Sequence, residues 1–220
     1  MKTLFGSVAA LALALAAGHA GASAIYSNGP YNGTIEGLTI SDPYSVADSF
    51  YVGTSADAVG VNFVSWNIEE DPPLSVTWTL TSGNPLSGGA FTVLGTGTES
   101  VSPVFLETNS QGFQLYSNTF YFPGVSLTGG NYYWLELSGA TDTTGDAEYW
   151  DQNNGASVAW QEEEGNPGFA LANYYTPGSD SETFSILSSV PEPATWTLML
   201  AGFAGLGAAL RTRRGHLVAA

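Results

Sequence analysis

The sequence predicts an all-β body folded as a jelly-roll-like, two-sheet β-sandwich, flanked by a cleaved N-terminal signal helix and a single C-terminal transmembrane helix. Three observations predict it. Between Ile25 and Ser189, short runs of alternating apolar and polar residues are separated by Gly, Ser, Asn and Pro. No stretch before Pro191 shows helical periodicity. The segments Leu4–Ala17 and Ala194–Leu210 carry no charge at all, unlike an amphipathic surface helix.

In chain order, Met1-Lys2 precedes the apolar stretch, and Ala22-Ser23-Ala24 supplies the small residues that a signal peptidase needs. Residues 1–24 therefore read as a signal peptide cut after Ala24. Gly18-His19-Ala20 offers a second site, and the start of β-type sequence at Ile25 favours the first.

Residues 25–189 read as one exported domain with ten strands. They are Thr34–Ile40, Val46–Val52, Ala58–Ile68, Ser75–Leu80, Gly89–Leu94, Val101–Leu106, Gln111–Phe122, Asn131–Leu137, Ser157–Gln161 and Glu182–Leu187. Alternation places Val59, Val61 and Phe63 on one core-facing side, and Val76, Trp78 and Leu80 on another. Gly129-Gly130 reads as a hairpin exit, after which Tyr133, Leu135 and Leu137 point inward and Glu136 outward. With no cysteine in the chain, burial alone must stabilise this body, and about 165 residues suffice for a single core.

Pro191-Glu192-Pro193 ends the β region, because proline fixes φ and disfavours helix in the residue before it. The seventeen residues from Ala194 to Leu210 would reach about 25 Å as a helix, just short of a ~30 Å hydrocarbon core. Arg211, Arg213 and Arg214 follow, and the positive-inside bias holds them on the cytoplasmic side, so the body lies outside. Residues 215–220 then form a short cytoplasmic tail.

The run VPEPATWTLMLAGFAGLGAALRTRR, residues 190–214, resembles the sorting tail of the PEP-CTERM proteins of Gram-negative bacteria. That resemblance implies that Pro191, Glu192, Pro193 and the three arginines form a recognition signal for exosortase, a membrane-embedded transpeptidase. It further implies an inner-membrane-anchored precursor that passes to the cell surface or extracellular matrix, in association with exopolysaccharide or biofilm. Short stretches of the body, Asn131–Leu137, Val46–Phe50 and Val61–Trp66, resemble β-strands shared loosely within that family. Gly215–Ala220 extends past the usual end of the tail.

Composition limits what the body can do. All four bases lie outside it, as Lys2, Arg211, Arg213 and Arg214, whereas nineteen of the twenty acids lie inside it. Such a polyanion repels nucleic acid, whose binding rests on basic side chains neutralising phosphates. Its two histidines, His19 and His216, also lie outside, so no Ser-His-Asp or Cys-His nucleophile can form. Adjacent acids in Glu69-Glu70-Asp71 and Glu162-Glu163-Glu164 are the one route to glycosidase chemistry, and runs of that kind are ordinarily solvated turns. The body is expected to be non-catalytic and without a resident cofactor, calcium excepted.

Two binding sites are candidates for the alternative reading, a glycan- or calcium-binding module that remains membrane-anchored. Asp142, Asp146, Glu148 and Asp151, in an expected loop from Asp142 to Asn154, offer the hard oxygen ligands that calcium takes. They do not follow the EF-hand spacing. Trp150, Trp160, Tyr174 and Tyr175, with Asn153, Asn154 and Gln161 nearby, could stack on sugar rings and read their hydroxyls.

Overall fold

The computed structural model describes residues 22–34, 36–68, 70–85, 89–163 and 181–189, together with Phe203. Strand occupies 63% of the described residues, and two antiparallel sheets form a sandwich with no helical element. The residues from Ala22 to Ser189 make one compact unit. Among the described residues no helix is long and apolar enough to cross a membrane. The expected span, Ala194–Leu210, lies outside them apart from Phe203, as does the signal segment up to residue 21.

The first sheet runs β1 (Ser23–Ser27), β13 (Phe184–Ser188), β4 (Ala56–Asn67), β10 (Tyr149–Asn153) and β12 (Ser181–Glu182). β2 (Gly37–Thr39) adds to β10, β8 (Gln114–Leu127) to the other edge of β4, and β7 (Ser102–Thr108) to β8. The second sheet runs β11 (Ala159–Glu163), β3 (Tyr44–Val52), β9 (Asn131–Thr141), β5 (Ser75–Thr81) and β6 (Val93–Ser100).

The core lies between the sheets. Val46, Phe50, Val76, Trp78, Leu80, Tyr133, Leu135 and Leu137 from the second sheet meet Val61, Phe63, Phe120, Trp150, Phe184 and Ile186 from the first. Removing each of these large side chains from water is worth about 1.5–3 kcal/mol. Phe63 and Phe184 both meet the Trp150 ring edge-on, at centroid distances of 6.3 and 5.6 Å. On the other side of the first sheet, Val64, Trp66 and Leu115 form a smaller cluster under Tyr31, Leu106, Phe113 and Tyr149. This second cover buries the far half of β4 on both faces.

One expected core residue is displaced. Val59 is half-exposed, while Ala58, Val61 and Phe63 are buried. The cause is a β-bulge: both neighbours of β4 shift register between Ala58 and Gly60, so Val59 faces neither ladder and the alternation changes phase across it. Gly60 sits where the strands crowd, since a Cβ there would stand 2.6 Å from the Phe120 carbonyl oxygen. The other core assignments hold, and Glu136 lies on the outer face, half-buried.

Differences from expectation include the strand expected over Glu182–Leu187, which is divided into β12 and β13. β6 begins at Val93 and continues to Ser100, past the expected Gly89–Leu94. β10 occupies part of the expected Asp142–Asn154 loop. β1 pairs with β13 ahead of the first expected strand.

Candidate functional site

Carboxylates penetrate this fold at four places, and no base accompanies any of them. Asp48 lies on β3 between Val46 and Phe50 in the inward set, so the strand's own pleat delivers a carboxylate into the interior. Asp48 is fully buried. Its Oδ2 accepts from the Glu182 backbone N–H at 2.7 Å, Ser157 Oγ at 2.8 Å and Asn28 Nδ2 at 3.3 Å. Its Oδ1 has no hydrogen-bond partner among the described residues. Burial pushes this carboxyl up to about 7 against the pull of those donors.

Asp151 on β10 is held differently. Its Oδ1 accepts from Trp66 Nε1 at 2.5 Å and the Gly33 N–H at 3.2 Å, while Oδ2 accepts from Thr183 Oγ1 at 2.7 Å. Burial raises its pKa, and the Trp66 and Thr183 bonds oppose the rise. Glu148 enters from the preceding loop, where both oxygens contact Asn67 Nδ2, at 2.6 and 2.5 Å. Burial, then the negative charge of Asp142, pushes Glu148 up to about 9. Glu182 on β12 accepts from Gln152 Nε2 at 3.3 Å.

This geometry divides the four residues expected to share calcium. Asp142 and Asp146 belong to the loop itself: Asp142 Oδ1 accepts from the backbone N–H of Gly145 and of Asp146, and Asp146 Oδ2 accepts from Thr144 Oγ1. Glu148 points into the protein toward Asn67, and Asp151 turns to Trp66. Among the described residues no three Asp, Glu, His or Cys side chains are disposed to hold a metal ion.

The sugar-stacking set is likewise divided. Trp150 is 0% exposed and sits in the core, its Nε1 donating to the Thr183 carbonyl at 2.9 Å, so it cannot stack on a ligand. The reason is cover: β10 is a central strand with both faces packed, so Trp150 to Asn153 are all buried. Tyr174 and Tyr175 lie outside the described residues. Asn153 and Gln161 are buried and bonded to backbone carbonyls, of Asn28 and Thr39 respectively, leaving Asn154 exposed.

Trp160 remains, and the strand register gives it new neighbours. It pairs across from Ala47 on β3, and the adjoining row pairs Ser49 with Trp134, then Tyr51 with Tyr132. All lie on the outer face of the second sheet. Tyr132 is 67% exposed and Tyr51 45%, their rings 5.1 Å apart. The same face continues into Thr79 and Thr77 of β5, bonded to Thr96 and Thr98 of β6. Aromatic planes beside a field of hydroxyls form the chemistry that period-two spacing hides when only Trp and Tyr clusters in sequence are sought.

The acidic runs do not make a paired site in the described residues. Asp71 Oδ2 holds the backbone N–H groups and hydroxyl of the Thr143-Thr144 turn, which lowers its pKa. Glu162 and Glu163 lie half-buried on β11 opposite Ser45 and Tyr44. Glu69 and Glu164 lie outside the described residues.

Fold and site together define an acid-rich β-sandwich whose interior carboxylates are held by neutral donors. Residues 189–214 match the PEP-CTERM protein-sorting motif. The chain carries this sorting motif, which implies an exported, membrane-anchored precursor processed by exosortase. No curated protein and no solved structure matches it. The signal residues Pro191, Glu192, Pro193, Arg211, Arg213 and Arg214 lie outside the described residues.

Proposed function

We propose that the body is a non-catalytic component of the cell surface or extracellular matrix of a Gram-negative bacterium, associated with exopolysaccharide and delivered by its sorting motif. The observation that carries this reading is the motif over residues 189–214. Absence of catalysis is supported by the occupation of the carboxylates: Asp151 and Glu148 are engaged with Trp66 and Asn67, and Asp71 with its own turn. Among the described residues, a surface cavity of about 410 Å3 is lined by one acid, Glu70, where glycoside hydrolysis would use two. Intact mass of the protein recovered from its native envelope and medium tests the reading. Loss of the residues beyond Pro191, together with added mass from an attached group, is the expected result. Retention of the arginine tail, or hydrolysis of a matrix polysaccharide by the purified protein, would refute it.

A second reading, a glycan-binding module, is favoured by one observation: Trp160, Trp134, Tyr132 and Tyr51 share the outer face of the second sheet with a threonine ladder. Flat aromatic faces bury sugar C–H surface while hydroxyls exchange hydrogen bonds with the ring substituents. Retention on immobilised exopolysaccharide of the host, lost on changing Trp160, would separate this reading from a passive structural role.

A further inference from the structure

The environment of Asn28, immediately after β1, contains more acceptors than it has hydrogens to offer. Its Nδ2 lies 2.5 Å from Ser157 Oγ, 2.7 Å from the Glu182 carbonyl oxygen and 3.3 Å from Asp48 Oδ2, and it also touches Ser181 Oγ. An amide nitrogen carries two hydrogens, so half of these four N···O approaches cannot be hydrogen bonds. Oxygens crowded around one amide in this way describe neighbouring ligands of a cation, with the amide's own oxygen among them once the amide is turned. Two further facts point the same way. Asp48 Oδ1 is buried without a partner among the described residues, a costly state for a carboxylate oxygen. No Lys, Arg or His exists between residues 25 and 190, so no basic side chain of the body can offset a charge on Asp48.

We propose that Asp48, Ser157, Ser181, the Glu182 carbonyl and Asn28 form a calcium site. With the Asn28 amide turned so that Oδ1 faces the cluster, Asp48 bidentate, the two hydroxyls, the carbonyl and the amide oxygen supply six oxygens. Calcium takes six to eight, at roughly 2.3–2.6 Å, which sets neighbouring ligand oxygens about 3–3.5 Å apart, so the cluster need open by only several tenths of an ångström to admit the ion. Magnesium, which insists on a tighter octahedron, fits less well. A surface cavity of about 200 Å3, lined by Asn28, Tyr31, Asn153 and Gly155, lies at the Asn28 end of the cluster. Gly155 is required there, since a Cβ would stand 2.6 Å from Asn28 Oδ1. The ligands come from the turn after β1, from β3, from the β10–β11 connection and from β12, so the ion ties four distant parts of the chain together.

Calcium chloride titrated calorimetrically into chelator-stripped full-length protein in detergent tests the site. Expected is one ion per chain with a Kd of about 0.1–1 mM, as in extracellular modules. At roughly 10 mM calcium the melting temperature should rise by about 3–10 °C, with a smaller rise in magnesium. Asp48→Asn should weaken binding at least tenfold. The Ser157→Ala/Ser181→Ala pair, which keeps every charge, decides the matter if Asp48→Asn does not fold, and it should weaken binding severalfold. No binding by the stripped wild-type chain would overturn the proposal. So would binding that survives in Asp48→Asn and disappears in Asp142→Asn/Asp146→Asn, which would place the ion in the surface loop.

Discussion

Trp66 donates its indole N–H to Asp151 Oδ1 at 2.5 Å, joining β4 to β10 through side chains where their backbones are already paired. Trp66→Phe keeps most of the apolar contact with Phe113 and removes one of Asp151's donors. The expected loss is about 1–3 kcal/mol of unfolding free energy, read from urea denaturation. Asp151→Asn should cost less than Asp151→Ala, because the amide oxygen can still accept from Trp66.

Acidity should stabilise this protein. Glu148 is raised to about 9, and Asp151 and Glu136 are also raised, so the folded chain holds protons that the unfolded chain releases. Stability is therefore full below the unfolded carboxyl value of 4.5 and is lost as pH climbs through about 9. The negative neighbours of Glu148, namely Asp142, Asp71 and Asp146, and of Glu136, namely Glu162, add to the effect. Thermal melts in chelator should give a higher midpoint at pH 5 than at pH 9. Glu148→Gln should flatten that difference; an unchanged pH profile in the variant would contradict the assignment.

The bulge at Val59 predicts contrasting costs on one strand. Phe63→Ala opens a cavity beside Trp150 and Phe120 and should cost about 3–5 kcal/mol. Val59→Thr, half-exposed and outside both ladders, should stay within roughly 0.5 kcal/mol. Equal losses at the two positions would mean that the register does not shift there.

If the outer face of the second sheet stacks on sugars, Trp160→Ala should weaken retention on exopolysaccharide about threefold to tenfold, in line with single aromatic contacts. Stability should change little, since the ring lies outside the core. Trp150→Ala should do the reverse, lowering the melting temperature through the loss of its core contacts.

How much of this was readable in the sequence depended on what buries each strand. β5 is legible because Val76, Trp78 and Leu80 alternate with threonines, and burial follows that alternation from Ser75 to Leu80. β6 is not, because Thr96, Gly97, Thr98 and Glu99 form an edge strand with an open face, and polar residues with glycine imitate a turn. β10 fails for the opposite reason. Asp151, Gln152 and Asn153 are buried by hydrogen bonding, so a polar string that reads as loop is a central strand. Asp48 was accessible to reasoning, since it shares parity with Val46 and Phe50, and a charge in step with a core stripe signals burial. Its partners were not, because Asn28, Ser157 and Ser181 are separated from it by loops whose paths the sequence does not encode locally.

The last strand of the body pairs on both sides, with β1 through Ser23 and Ser188 and with β4 along its length. The chain leaves for its sorting tail directly from that strand. Tension applied through an anchored C-terminus therefore enters the middle of a sheet and loads two ladders together. A strand at the rim would give up one ladder of hydrogen bonds on leaving, whereas this one must give up two. The place where the protein is tethered is thus among the places best able to resist being pulled.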